Sequence, residues 1–541
     1  MSRPSPLLLL VLPLLAAVLV GAWWAANRPE SAGPAIAGGR LESVSFAPYR
    51  PGQSPLTGVF PSAAQVDADL ALLAPQVRAV RTYAAIEGDY DVAGLAAKHG
   101  LKLWQGIWLG PDRAKNAREI AAGIAEANRY PNTVDRVVVG NEVLLRRDLP
   151  VGALIAALDQ VRAAVQQPVT YADVWEFWEQ FPEVARHVDI VTIHLLPYWE
   201  DRPTGIHRAV AHVLATYRRM QARFPGQRIA VGETGWPGAG RWRADAAPGV
   251  VNEARFIRAF VAAARAEGID YNLIEAFDQG WKYASEGTVG ANWGIWTADR
   301  GQKFPFSGPV VEDAAWPRWA GLSVALGLLL LGVGLCTALP AGAQVRLAVL
   351  AMGLGGALGY AASAGVPLAY DGYALVAAVG NLAGQAVLGW LLMRRAARLL
   401  AGQAVPRGRN AAQATASVRG LLRGRWPREG VFEDLCLLFV WAAAVLQVLL
   451  LFDPRYRDFP ISTFAVPLVA VAARGWLRDL PRGGGGREEA WLGGVLVLAA
   501  LAGAVREGPE NLQSLAWTGC ALLLAVPVLL RVCKRGLWRP G

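Results

Sequence analysis

Two glutamates in matching surroundings are the residues of this chain whose types and spacing could do chemistry together. Glu233 follows Arg228-Ile229-Ala230-Val231-Gly232. Ile229 to Val231 fit a short buried parallel strand, and Gly232 lets the backbone pass close to whatever lies at its end. Thr234, Gly235, Trp236 and Pro237 then turn the chain and are expected to hang an indole beside the carboxylate. Glu142 closes Val137-Val138-Val139-Gly140-Asn141, a second β-branched run that reaches a glycine. Asn141 adds an amide suited to a sugar 2-hydroxyl, a contact that strengthens in an oxocarbenium-like transition state. Paired strand-end carboxylates with an aromatic ring alongside are the equipment of glycosidic-bond chemistry. The apolar face of a sugar stacks on the ring while a carboxylate meets the anomeric carbon.

Strand-end glutamates about 90 residues apart suit the fourth and seventh strands of an eight-fold βα barrel, whose sites open at the C-terminal face. The pattern around them supplies the rest. Strands are expected at 43–48, 79–83, 101–109, 134–143, 169–174, 190–195, 229–231 and 271–277, with helices at 63–74, 114–130, 151–166 and 252–266. Trp104 and Trp108, four apart on the third strand, would share a face, either at a sugar subsite or in the core. Asp67 and Asp69 form an Asp-x-Asp, which the helical pattern reads as a solvated face rather than a metal site. Glu275, two before Phe277, points either into the barrel or towards Lys282, as a buried ion pair or a substrate contact. The five histidines show no ligand pairing, so no metal or other cofactor is expected, and none at His194.

From about residue 41 to 306 the chain resembles glycoside hydrolase family 17, the β-1,3-glucanase and β-1,3-glucanosyltransferase family of (β/α)8 barrels. Four runs carry the resemblance: Gly140-Asn141-Glu142; Gly232-Glu233-Thr234-Gly235-Trp236-Pro237; Phe277-Asp278-Gln279-Gly280-Trp281-Lys282; and Trp293-Gly294-Ile295-Trp296. It implies that Glu142 is the general acid/base and Glu233 the nucleophile of a retaining mechanism. It also implies a substrate site containing Asn141, Arg81, Tyr83, Tyr198, Trp236, Trp281, Lys282 and Glu275, with Tyr198 reaching towards the nucleophile. One position departs from the pattern: the family usually places a glutamate three residues before the lysine, and here Gln279 precedes Lys282.

The remainder of the chain is of another kind. At 541 residues, 54% hydrophobic and with a mean hydropathy of +0.28, the chain is too long for one domain and too apolar to be wholly soluble. Residues 7–26 are apolar and long enough to cross a bilayer, as an uncleaved anchor in preference to a cleaved signal peptide. The resulting division is an anchor at 1–27, a flexible linker at 28–40, a barrel at 41–312 and an all-α polytopic membrane domain at 316–541. That domain has about seven spans, at 317–338, 345–366, 372–393, 432–452, 460–476, 490–505 and 511–531. Gly355 and Gly359 make a Gly-x-x-x-Gly packing signal.

The net charge of +10 is explained by where the arginines fall. Arg394, Arg395, Arg398, Arg407, Arg409, Arg419, Arg423, Arg425 and Arg428 fill one inter-span connection without an acidic residue. Arg474, Arg478, Arg482 and Arg487 mark the next, and Lys534, Arg535 and Arg539 the tail. All fall on one side if both termini are cytoplasmic, which puts the barrel outside and accounts for the basic pI without nucleic acid. Anionic membrane lipid suits the same residues. Cys336, Cys436, Cys520 and Cys533 all lie in or beside the spans, so the barrel needs no disulfide.

The reading expected from the sequence is an enzyme on β-1,3-glucan oligosaccharide or polysaccharide, in the periplasm at the inner membrane of a Gram-negative bacterium. Transfer that elongates, branches or cyclises glucan is favoured, with endohydrolysis as the alternative. A separate membrane glucan synthase would supply the glucan, since no cytoplasmic loop is long enough for a nucleotide-sugar domain. Readings of another class are a non-catalytic glucan-binding or transport module, and a channel carrying an appended barrel.

Overall fold

The computed structural model describes residues 3–406, 410–424, 430–481 and 484–532. Arg407, Arg409, Arg425, Arg428, Arg482, Cys533, Lys534, Arg535 and Arg539 lie outside the described residues. The chain forms two compact units, one of residues 29–311 and one of residues 1–28 with 312–541.

The first unit is a closed barrel of eight parallel strands in sequence order: β1 (Leu41–Ser45), β2 (Val77–Arg81), β3 (Lys102–Ile107), β4 (Val134–Asn141), β5 (Val169–Val174), β6 (Ile190–His194), β7 (Arg228–Thr234) and β8 (Asp270–Leu273). Helices between the strands turn one apolar stripe inward. The helix Ala63–Leu73 buries Val66, Leu70 and Leu73, and the side chains of Ser62 and Gln65 cap its first turn reciprocally. Inside the barrel, Ala79, Ala172 and Ala230 leave room for one large ring, and Trp104 fills it beside Val138 and Ile190. The Arg136 guanidinium stacks on that indole 3.9 Å from the ring centroid and pairs with Asp270 at 2.7 Å.

Several expectations change here. β8 ends at Leu273 rather than 277, so Glu275 and Phe277 stand past the strand, after a cis Ile274–Glu275 peptide. Asp69 is not on a solvated face: it is 1% exposed and receives Arg50 at 2.8 Å and Arg300 at 2.5 Å, while Asp67 meets Lys98 and His99 at the surface. A carboxylate opposed by two guanidiniums can be buried where a lone one cannot. Residues 28–40 are not a free linker. Glu30 and Val310 exchange backbone hydrogen bonds of 2.8 and 2.9 Å, and Ile36 N donates to Phe306 O at 2.9 Å.

In the second unit, seven helices among the described residues are long and apolar enough to cross a membrane: Pro6–Ala26, Trp316–Leu335, Ala341–Gly365, Gly372–Leu400, Val431–Phe452, Arg487–Glu507 and Leu512–Val532. The stretch at 460–476 is different from expectation. It forms a 3-10 turn, Ser462–Phe464, and a 12-residue helix, Ala465–Trp476, too short to span. Its irregular entry is satisfied by Gln385, which donates to Ser462 O at 3.1 Å and accepts from Val466 N at 2.9 Å. At Gly355 a Cβ would stand 2.2 Å from Ser323 O, so the Gly-x-x-x-Gly face does admit a neighbouring backbone. The first helix joins this unit through Trp23 Nε1 to Ser323 Oγ at 3.0 Å and Ser5 N to Gln344 Oε1 at 2.9 Å.

Candidate active site

β4 and β7 end at the same mouth of the barrel and deliver the two glutamates there. Gly232 in β7 faces β6: a Cβ would come 2.5 Å from Thr192 Cγ2 and 3.0 Å from the His194 ring, so only glycine lets Glu233 and His194 lie side by side. Glu142, the residue after β4, has φ 52°, a left-handed conformation that side-chain-bearing residues adopt rarely and that concentrates at functional sites.

A polar network fixes Glu233. The Arg81 guanidinium, fully buried, donates to Glu233 Oε1 at 3.2 Å, to Gly232 O at 2.6 Å and to Asn141 Oδ1 at 2.6 Å. The Tyr83 hydroxyl lies 2.9 Å from both Glu233 Oε1 and Ser45 Oγ, and Ser45 Oγ accepts from Asn272 Nδ2 at 2.8 Å. This orders the hydroxyl protons so that Tyr83 donates to the carboxylate. Burial pushes the Tyr83 hydroxyl well above its usual range, and the Glu233 charge adds to that, so it stays a donor.

Glu142 is held differently. Its Oε1 meets His194 Nδ1 at 2.8 Å, and His194 is 1% exposed. The other ring nitrogen, Nε2, stands 3.7 Å from Glu233 Oε1 with no hydrogen-bond partner. Burial pushes the Glu142 carboxyl up, but the His194 hydrogen bond and charge outweigh it, aided by Arg146 and Arg81, and hold the group below the usual carboxylate range. Asp173 on β5 goes the other way, pushed up to about 6 chiefly by burial.

After β8, Glu275 and Lys282 form the ion pair anticipated as one of two options, at 2.6 Å and with Glu275 1% exposed. Burial drives Glu275 up to about 7 against the pull of Lys282. Glu286 was not singled out by sequence. It is half-buried, is pushed up by burial, and feels the charges of Lys282, Glu142 and Glu233, so it belongs to the same mouth. Gln279 is buried; its Nε2 donates to Ala47 O at 2.5 Å and Phe277 O at 3.1 Å, and its Oε1 accepts from Trp281 Nε1 at 2.8 Å. The amide is therefore an anchor for the loop that carries Lys282.

Three aromatic expectations are corrected. Trp236 has no exposed surface; its Nε1 donates to Ala247 O at 2.9 Å and its ring stacks on Phe256, so it supports the β7 turn from below and offers no face to a sugar. Tyr198 sends its hydroxyl to Arg241 O at 2.5 Å within a cluster with Trp199, Trp236 and Trp293; Tyr83 is the tyrosine that meets Glu233. Trp104 and Trp108 part company because β3 ends between them. Trp108 is 39% exposed at the rim, with the Arg146 guanidinium 4.3 Å from its ring. Trp281, half-buried, packs its edge against Tyr49, which in turn meets Phe60.

Glu142, His194 and Glu233 bring donor atoms within 4.8 Å of one another, a spacing that weak cation sites also show. Here Arg81 already supplies fixed positive charge to Glu233, and His194 Nδ1 is engaged by Glu142. A cavity of about 780 Å³ lies elsewhere, at the opposite end of the barrel, among Arg40, Arg78, Arg136, Arg228 and Arg265. The polarity of such barrels assigns that end to stability and the glutamate end to chemistry.

The sequence model of the BtgE/BtgC glycoside hydrolase domain matches residues 43–294. A glucan 1,3-beta-glucosidase of Schizosaccharomyces pombe is 30% identical over 233 residues, 40% of this chain and 72% of the relative. A protein of the same name from Candida albicans is 26% identical over 261 residues, 44% of this chain and 84% of the relative. Among solved structures, a glycoside hydrolase family 17 beta-1,3-glucanosyltransferase of Rhizomucor miehei aligns with a TM-score of 0.43 at 25% identity, over 50% of this chain and 97% of that one. With the fungal relatives spanned over most of their length and the paired glutamates at one barrel mouth, this chain belongs to glycoside hydrolase family 17 and is a glycosidase or transglycosylase.

Proposed function

We propose that this protein is a membrane-anchored, retaining β-1,3-glucanosyltransferase in which Glu233 attacks the anomeric carbon and Glu142 serves as acid and then base. One observation carries the retaining assignment: the nearest oxygens of the two carboxylates lie within 4.8 Å of each other. Retention needs carboxyl groups about 5 to 5.5 Å apart, whereas inversion needs roughly 6.5 to 9.5 Å to admit water. In the first half-reaction the bond from C1 to the leaving oxygen breaks, C1 joins Glu233, and the Glu142 proton goes to the leaving oxygen. In the second, ionised Glu142 takes the proton of an incoming hydroxyl as that oxygen displaces Glu233. Tyr83 and Arg81 stabilise Glu233 as it departs again as a carboxylate. Lys282, Asn141 and Trp281 are the remaining sugar contacts, with Glu275 fixing Lys282.

β-1,3-Glucan as substrate is supported by the names of the fungal relatives. Transfer over hydrolysis is supported by seven helices suited to a membrane, which fit glucan assembly better than digestion. The contacts of Trp23 and Ser5 with other helices of their unit support retention of the first helix as an anchor. The three apolar helices between the barrel and Arg394, Arg395 and Arg398 support a periplasmic barrel at a bacterial inner membrane, opposite these arginines. Anionic lipid and a separate glucan synthase are the partners this reading implies.

The test is to incubate the full-length protein in detergent with short β-1,3-gluco-oligosaccharides and follow products by mass spectrometry, with Glu233→Gln as control. Products longer than the donor, or rings lacking one water, support transfer. Shorter products alone make the protein a glucanase, and donor that binds but is never altered overturns the enzymatic assignment.

A further inference from the structure

His194 turns one ring nitrogen towards each of the two glutamates, and it has no place in the mechanism as stated. It stands at the end of β6, the strand beside β7, with its side chain wholly withdrawn from solvent. Nδ1 is 2.8 Å from Glu142 Oε1, and Nε2 faces Glu233 Oε1 at 3.7 Å without a hydrogen-bond partner. An ionised carboxylate only accepts, so at 2.8 Å the proton of this contact sits on Nδ1. We propose that His194 is a positioning residue for the general acid: its Nδ1–H fixes Glu142 Oε1, which turns the other Glu142 oxygen to the glycosidic bond. The proposal rests on Glu142 being the acid/base.

The left-handed backbone of Glu142 gives this physical content. With φ 52° and the strand already ended, the backbone does not dictate where the carboxylate points. Arg146, close in sequence, is committed to Asp148 and to the carbonyls of Asn141 and Leu109. Among the described hydrogen bonds, His194 supplies the side-chain partner of the Glu142 carboxylate. The hydrogen bond also favours the ionised carboxylate, which aids departure of its proton to the leaving oxygen and keeps Glu142 ionised until the acceptor arrives. His194 keeps its own proton throughout.

The experiment compares His194→Leu, His194→Asn and Glu142→Ala in the full-length protein, using a β-1,3-gluco-oligosaccharide and a dinitrophenyl β-laminaribioside, whose leaving group needs no proton. The result expected for His194→Leu is a kcat on the oligosaccharide lower by roughly 100-fold with KM little changed, while release of dinitrophenol in the first turnover falls by about threefold or less. Asparagine, whose amide nitrogen takes the place of Nδ1, should restore most of the lost rate. Azide, which needs no base, should speed turnover of the aryl glycoside in both His194→Leu and Glu142→Ala. Equal losses on both substrates, or no rescue by asparagine, would overturn the positioning role. If Glu142→Ala shows no selective loss on the oligosaccharide, the assignment of Glu142 fails, which is a separate result.

Discussion

Glu142 and Glu233 differ in what surrounds them, and that difference suits the two roles proposed for them. Arg81 and Tyr83 hold Glu233, so Glu233→Gln should lower turnover at least about 10⁴-fold while glucan still binds, as checked by kinetics beside calorimetry. For Glu142 the sign follows from its depressed carboxyl. The proposed acid must be protonated, so kcat/KM should be highest on the acid side and fall as pH rises towards neutrality, the limb belonging to Glu142. A pH–rate profile rising through neutral pH would contradict this. Gln279 makes a sharper case. A carboxylate cannot donate to Ala47 O and Phe277 O, so Gln279→Glu should cost about 1–3 kcal/mol of stability, measured by chemical denaturation, without any gain in hydrolysis. Sequence disclosed both glutamates because each ends a β-branched run with a glycine. It disclosed neither His194 nor Glu286, since a lone histidine in an apolar strand and an acid in a short helix carry no spacing signal. Trp236 misled for a related reason: adjacency in sequence does not tell whether a ring lies above a carboxylate or beneath the turn that holds it.

The eight strands were legible because buried parallel strands must be apolar and the intervening helices amphipathic. Their ends were less so: β8 was read four residues too long, since Ala276 and Phe277 are as buried as any strand residue although they lie in the loop. What ties loops to the barrel is ionic and long-range, hence invisible to periodicity. Asp69, on the helix Ala63–Leu73, clamps Arg50 after β1 and Arg300 after β8. Asp69→Ala leaves two guanidiniums without their carboxylate, and unfolding free energy should fall by about 3–5 kcal/mol in a denaturant titration. A change of under about 1 kcal/mol would show the clamp to be a solvated surface pair.

At the scale of the molecule, two units divide the charge problem differently. In the helical unit Glu433 lies 2.8 Å from Arg474, 2.9 Å from Arg531 and 3.5 Å from Arg395, and Arg395 also holds Asp479 at 2.5 Å. Composition revealed the arginines and a side for them, but not that helix ends far apart in sequence would gather around one acid. Glu433→Ala should therefore disrupt the helical unit, read as faster proteolysis of its inter-helix segments, while glucan turnover by the barrel survives. The pairing of Glu30 with Val310 bears on how the barrel responds to load. Entry and exit of that unit are zipped side by side, so a force applied to its two ends peels the short stem apart before it reaches any strand of the barrel. The stem is thus a mechanical fuse, expected to open ahead of the strands that hold the two glutamates in register.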